Sequence, residues 1–394
     1  REGYMKKISK ISAAVAIMLG LAAPALAGPQ ITFGPNDKGT LQLDYKGQFQ
    51  LSVRDNGSGV DNNASTTSFD FRRNRIALMG AYGDNMSLYV QTEFMDKSAV
   101  GTLSVADETS DSNFQLLDAV VRFKLNDAIN LNVGKFKYSF SRENLEACEA
   151  PLTLDRSLFI RAPYVTTRDM GVNVWGNMFN DVFQYRLDAM EGREAVSGAS
   201  APKSNLRYGA RAHLSLLDPE NTHGYKGTYL GKKSVLTVGA AYQYEPDVAY
   251  GINTSDTKDY KAWTTDIFFE YPTKSLGTMT LSAAYAKYDL DNAYIAATPS
   301  TGTIDLNGEK NGWYTKAGYM LPETPLQFFG RYEKWKFAQL NSINDEQVDW
   351  YGLGANYYIW GQNLKVTMEY SKTKFDKGSY ADFSQFVTQL QVIF

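Results

Sequence analysis

Ser384-Gln-Phe-Val-Thr-Gln-Leu-Gln-Val-Ile-Phe394 is the stretch whose reading decides the fold. Phe386, Thr388, Leu390, Val392 and Phe394 fall on one side of an extended chain. Gln385, Gln389 and Gln391 fall on the other, with Val387 and Ile393 as exceptions. A strand that is oily on one face and amide-rich on the other fits a membrane-barrel wall, where lipid meets one face and water the other. A soluble β-sandwich can also end this way, so the rest of the chain has to agree.

Working back from that strand, Leu364, Val366, Met368 and Tyr370 alternate with Lys365, Thr367, Glu369 and Ser371. The same period of two runs through Tyr351–Ile359 and Met279–Tyr285, which argues strand and not helix. Tight turn chemistry marks 82–85, 125–128, 176–181, 271–277, 321–325 and 360–363, with a longer member of the same phase at 217–233. Longer polar connections occupy 55–68, 97–113, 138–166, 192–203, 246–260, 289–310, 337–346 and 375–381. Seven short-side turns and eight long-side connections predict sixteen strands, both termini on one side, and the short-turn, long-loop asymmetry of an outer-membrane barrel. Aromatic residues gather beside the turns, at Trp175, Phe179, Phe183 and Tyr185, at Tyr357, Tyr358 and Trp360, and at Trp335 and Phe337. Two headgroup belts are expected there.

The other end of the chain speaks to compartment. Met5-Lys-Lys-Ile-Ser-Lys10 is basic, 11–21 is apolar, and Pro24-Ala-Leu-Ala27 offers small residues to a signal peptidase. Residues 1–27 are expected to be a cleaved export signal, and 28–394 a single barrel domain after a short leader at 28–38. The apolar run is shorter than the ~20 residues of a spanning helix. Cys148 is the only cysteine, so an exported chain of this kind relies on hydrogen bonding and packing in place of disulfides. Without residues 1–27 the chain carries 36 basic and 42 acidic residues, a balance of about −6 that argues against nucleic acid as a partner.

Three segments resemble the phosphate-selective porin O/P family of Gram-negative outer membranes. They are Phe69-Asp-Phe-Arg-Arg-Asn-Arg-Ile-Ala-Leu-Met-Gly-Ala-Tyr-Gly-Asp84, Val133-Gly-Lys-Phe-Lys-Tyr-Ser-Phe-Ser-Arg-Glu-Asn-Leu-Glu146 running on to Leu154-Asp-Arg-Ser-Leu158, and Arg168-Asp-Met-Gly-Val172. The final strand also resembles the C-terminal strand of outer-membrane barrels, in which Phe394 would be the residue read by the barrel-assembly machinery. The resemblance implies an all-β, 16-stranded antiparallel transmembrane barrel with an inward-folded third loop, embedded in outer-membrane lipid as a homotrimer. It implies a channel for small solutes and ions, with no enzymatic activity and no cofactor. Leu145, Leu152, Leu154, Leu158 and Phe159 in the third connection agree, because an exposed loop rarely holds so many apolar side chains.

Charge inside such a wall sets ion preference. Arg73 and Arg75 share one face of the second strand, and Arg122 and Lys124 one face of the fourth. Lys135 (or Lys137), Arg142, Arg156, Arg161 and Arg168 surround the third connection, opposed by Glu143, Glu146, Glu149 and Asp155. Two roles are open for these arginines: lining an anion-preferring constriction, or fastening the loop to the wall. No arginine ladder of the phosphate-selective kind aligns. An unselective or cation-preferring porin, and a structural or adhesive barrel acting through its outer loops, are the alternatives. His213 and His223 are too few for a zinc site and lie in or beside the 217–233 turn. Asx/Gly turns explain 54–57, 61–63 and 107–111 better than calcium does.

Overall fold

The computed structural model describes residues 28–94, 114–157, 167–193, 202–251, 253–273, 275–290, 309–340, 343–377 and 380–394. The expected export signal and Arg161, Leu158 and Phe159 therefore lie outside the described residues. The strands are β1 (Gln30–Phe33), β2 (Gly39–Ser58), β3 (Ala64–Tyr82), β4 (Met86–Glu93), β5 (Gln115–Lys124), β6 (Asn130–Lys137), β7 (Arg168–Met178), β8 (Phe183–Met190) and β9 (Arg207–Ser215). They continue with β10 (Val235–Tyr250), β11 (Thr257–Thr273), β12 (Gly277–Asp289), β13 (Glu309–Met320), β14 (Leu326–Leu340), β15 (Ile343–Trp360), β16 (Leu364–Phe375) and β17 (Phe383–Ile393).

Each strand from β2 to β17 pairs antiparallel with its sequence neighbour, and β17 pairs with β2 from Gln385↔Arg54 to Ile393↔Lys46. That last pairing closes a sixteen-stranded barrel and leaves no lipid-facing edge, as hydrocarbon requires. β1 lies in the expected leader and adds four residues antiparallel to the start of β2. At the seam Gln48 Nε2 donates to Gln391 Oε1 (2.6 Å) and Gln50 Nε2 to Gln389 Oε1 (2.8 Å), so the amide face of the last strand is an inward ladder. Val387 and Ile393, the exceptions to the alternation, are buried on that same face. Phe394 closes the seam through Tyr45, accepting from its N–H at 2.6 Å and donating to its carbonyl at 3.1 Å.

Several strands outrun the boundaries expected from the sequence. β10 extends to Tyr250 and β11 starts at Thr257, inside the expected 246–260 connection; β14 and β15 likewise leave only 341–342 of 337–346. Hydropathy alternates only where one face meets lipid, whereas ladder hydrogen bonds carry the strands on into water.

The outward face carries two aromatic girdles. Toward the long-connection end stand Tyr208, Tyr242, Trp263, Tyr285, Trp313, Tyr332, Tyr351 and Tyr370; toward the short-turn end stand Tyr271, Tyr319, Phe328 and Tyr357. Trp263 and Tyr271 are eight residues apart on β11, about 26 Å along the strand before tilt. That suits an apolar band of about 25 Å. The expected belt residues are only partly right. Phe179 and Tyr357 are exposed, but Trp335 and Tyr358 are buried on the inward face and Trp175 lines an internal cavity. The side chain of Phe337 lies outside the described residues. Tyr357 and Tyr358 are adjacent, so a period of two cannot send both to lipid.

The inward face is not wholly polar. Tyr260, Tyr288, Tyr314, Trp335 and Val348 from β11–β15 pack with Phe136, Tyr138 and Phe140 into one buried cluster, Phe140 and Tyr288 at 5.3 Å between centroids. This apolar filling occupies the β10–β15 side, where the third connection leans.

Candidate functional site

The site is built from the third connection. Ser141 starts it with a single helical turn, α1 (Arg142–Leu145), its Oγ accepting from Asn144 N–H at 3.0 Å. Asn144 Nδ2 ties the turn to the Tyr138 carbonyl at 2.7 Å. From there the segment meets one inward side chain after another. Arg211 of β9 donates to Phe140 O (3.0 Å), and Arg142 N–H to Asp266 of β11 (3.2 Å). Glu143 accepts from Lys316 of β13, and Arg331 of β14 donates to Asp155 O at 3.1 Å. Asn356 of β15 donates to Leu152 O (2.8 Å), and Leu154 N–H to Glu369 of β16 (3.0 Å). Lys365 of β16 and Gln391 of β17 both donate to Glu149 O, at 3.2 and 2.9 Å. Lys46 of β2 pairs with the Glu149 carboxylate at 2.9 Å. Leu145, Leu152 and Leu154 are buried by these contacts, as their apolarity implied.

β3 completes the arc by a bulge. Gln48 opposes Arg73 while Phe49 opposes Phe71, so Arg72 is an extra residue in the strand. The kink lets two sequence-adjacent guanidiniums reach one carboxylate, Arg72 at 2.5 Å and Arg73 at 2.9 Å from Asp155. Arg72 was absent from the sequence expectation because strict alternation would have sent it to lipid.

A second segment enters from the opposite end. The 216–234 connection between β9 and β10, on the short-turn side, reaches the third connection through three backbone bonds. Ala147 N–H donates to Tyr225 O (2.9 Å), Tyr225 N–H to Leu145 O (3.3 Å) and Gly227 N–H to Ala150 O (2.8 Å). Arg142 forms two hydrogen bonds to Glu220 of this segment, at 2.5 and 2.6 Å, with both side chains wholly buried. Its guanidinium also stacks 3.9 Å from the Phe268 ring centroid. The Tyr225 hydroxyl meets Arg186 (2.9 Å), Arg211 (3.4 Å) and His213 (2.6 Å). His213 and His223 are thus structural neighbours of this inner turn.

The expected basic residues now separate by partner. Arg75 forms a bidentate pair with Glu93, both distances 2.8 Å, and Arg168 Nε donates to Asp118 at 3.0 Å. Arg156 donates to the Glu143 and Asn144 carbonyls, and Glu143 also accepts from Ser157 N–H at 2.8 Å. Glu146 is buried, with its carbonyl accepting from Lys137 at 2.6 Å. Lys124 stands outside the cluster, paired with Asp127 at 2.8 Å near a short turn. Lys135 is a correction: it shares the outward register of Val133 and Met170, and its Nζ donates to Leu116 O at 3.1 Å. Lys137, at the strand's end, is the lysine that meets the loop. Sequence reasoning also missed Arg186, Arg207, Arg211, Arg331, Lys316 and Lys365. Each is an inward base at an ordinary alternating position of its strand, and neither its type nor its place in the alternation marks a role. Arg207 pairs with Glu245 at 2.9 Å and Arg331 with Glu369 at 2.6 Å.

Arg122 stands apart by its exposure to two cavities at once. Its side chain is exposed, and it meets no carboxylate within ion-pair distance among the described residues. Its guanidinium lies 5.5 Å from the Tyr89 ring centroid. Two cavities share it. One of about 490 Å³ opens among the short turns beside Lys124, Asn130, Trp175 and Asp181. The other, of about 320 Å³, lies between the third connection (Leu145, Ala147, Cys148, Glu149) and the wall residues Arg75, Tyr89, Asp118 and Lys137. Arg122 and Asn132 line both, so the two spaces adjoin. The arc of loop contacts runs from β9 round to β3 and leaves β4–β7 to face this space.

A family model described as phosphate-selective porin O and P matches residues 43–394. An uncharacterized protein of Aquifex aeolicus is 26% identical over 292 residues, 68% of this chain, which spans 64% of that relative's length. Among solved structures, the outer-membrane channel DcaP of Acinetobacter baumannii superposes with a TM-score of 0.60 at 14% identity, covering 94% of this chain and 100% of that one. OmpF of Salmonella typhi, solved with daunomycin, gives 0.61 at 14% identity, covering 93% and 100%.

Proposed function

We propose, from the premise that this chain belongs to the phosphate-selective porin O and P family, that it lets small hydrophilic solutes diffuse passively across the outer membrane with a preference for anions. It resides in the Gram-negative outer membrane. The third connection constricts the lumen, and the passage runs between that segment and the β4–β7 wall. One observation carries the selectivity: Arg122 faces both cavities without a carboxylate partner. A buried charge pair presents little net field to a passing ion, whereas an unpaired guanidinium in a narrow aqueous space raises the local anion concentration. Arg72, Arg73 and Arg142 act instead as fasteners, and Arg75 and Arg168 are neutralised by wall carboxylates.

No catalytic step is assigned to any residue, and the barrel works by diffusion alone. Homotrimerisation, implied by the family resemblance, is supported by the outward face. No Tyr or Trp stands at an outward position in the long-connection half of β2–β8 among the described residues, where Phe69, Leu116, Val133, Met170 and Val172 occur instead. A wall covered by a neighbouring copy needs no amphipathic belt.

The net acidic balance favours a cation-preferring general porin as second reading. Zero-current potential of the purified protein in planar bilayers under a KCl gradient separates the two. An anion-selective sign is expected; a cation-selective sign would reject the assignment to Arg122, and absence of any ionic current would leave a structural barrel.

A further inference from the structure

We propose that the outer rim of β11–β16 is a docking surface for the phosphorylated headgroups of outer-leaflet glycolipid. The sequence places lysines there in a repeated position. Lys261, Lys287, Lys334 and Lys372 each stand two residues beyond an outer-girdle aromatic on the same outward face, after Trp263, Tyr285, Tyr332 and Tyr370 on β11, β12, β14 and β16. Strand pairing then sets Lys287 beside Trp263, Lys334 beside Trp313 and Lys372 beside Tyr351. A long flexible amine directly above a ring lets one lipid rest its sugar and acyl base on the aromatic and its phosphate on the ammonium.

The charges on this rim are not spent within the protein. Lys261, Lys334 and Lys372 meet no carboxylate within ion-pair distance among the described residues. Lys287 does, at 2.6 Å from Glu309. Asp349, opposite Lys334 in the ladder, is instead engaged by the Tyr332 hydroxyl at 2.6 Å and by Gln347 at 3.2 Å. Asp289 opposes Lys261 and stands 3.7 Å from Lys287, so the rim is mixed in sign but its free groups are basic. The opposite rim lacks the feature. Outward positions of β11–β16 toward the short turns carry Tyr271, Tyr319, Phe328 and Tyr357 and, among the described residues, no lysine. A lysine row at one leaflet only fits a ligand confined to that leaflet. This inference rests on the barrel and its orientation, and not on conduction or ion preference.

The test uses the full mature barrel in detergent, with bisphosphorylated lipid A, enzymatically dephosphorylated lipid A and inorganic phosphate as probes. Binding is read by native mass spectrometry and by the shift in unfolding temperature. Wild-type protein is expected to retain phosphorylated lipid A and gain thermal stability from it. The K261Q/K287Q/K334Q/K372Q variant should bind it at least about tenfold more weakly, as loss of several surface bases near an anionic headgroup implies. The corresponding four-Arg variant should bind as wild type does, and channel conductance should not change. Equal binding of phosphorylated and dephosphorylated lipid by the wild-type protein would overturn the proposal even if the Gln variant failed to fold. So would undiminished binding by that variant, or displacement of the lipid by equimolar inorganic phosphate, which would mark a free-anion site.

Discussion

Arg142→Ala is expected to release the third connection and raise single-channel conductance while leaving the barrel assembled. Arg142 and Glu220 are each fully buried, joined at 2.5 and 2.6 Å. Removing one member of such a pair strands the other charge without solvent, at a cost of about 3–5 kcal/mol. Glu220 would keep the Tyr229 and Thr237 hydroxyls, at 2.5 and 2.7 Å, but no cation. The same substitution removes the guanidinium stacked on Phe268, and so loosens both inner segments where they meet. The wall itself is held by sixteen closed strand pairings and does not depend on this contact. The measurement is conductance together with heat-modifiable electrophoretic mobility. Raised and noisier current with the folded-barrel mobility retained is the expected pair of results. Unchanged conductance would mean that the segment is held elsewhere or does not limit flow.

The second large effect falls on selectivity. Arg122→Glu should move the zero-current potential under a KCl gradient from the anion side to the cation side. The substitution exchanges a base that lines both adjoining cavities, and that meets no carboxylate within ion-pair distance among the described residues, for an acid in the space that Asp118 and Glu149 also line. Arg75→Gln combined with Glu93→Gln is the comparison. It removes both members of a pair that already neutralise each other at 2.8 Å and should leave the zero-current potential near its wild-type value. If the Arg122 and Arg75 variants shifted the potential equally, the distinction between paired and free arginines would fail.

The barrel was legible in the sequence because lipid on one face and water on the other write a period of two into strands such as Leu364–Ser371. Turn and loop lengths then counted the strands. The third connection was legible from Leu145, Leu152 and Leu154. Three features were not. The bulge at Arg72 breaks the alternation on which face assignment rests. The 216–234 turn has the phase of a short-side connection, and phase alone does not say that it runs inward to meet Ala147 and Ala150. Pairing of inward bases is a three-dimensional matter: Arg122 and Arg75 look equivalent in sequence, and only the position of Glu93 separates them. Lys135 and Lys137 were likewise indistinguishable until the register of β6 with β7 was known.

The passage between the third connection and the β4–β7 wall is the central claim, and the chain carries its own probe of it. Cys148 is the sole cysteine, it lines the 320 Å³ cavity, and its Sγ lies 3.7 Å from Lys137 Nζ. The decisive measurement is single-channel current before and after treatment with a negatively charged methanethiosulfonate, with labelling followed by mass spectrometry and Cys148→Ser as control. A labelled wild-type channel with most of its current lost, and an unaffected Cys148→Ser channel, is the predicted result. A thiol that stays unlabelled in a conducting channel, or a fully labelled channel with undiminished current, would contradict it.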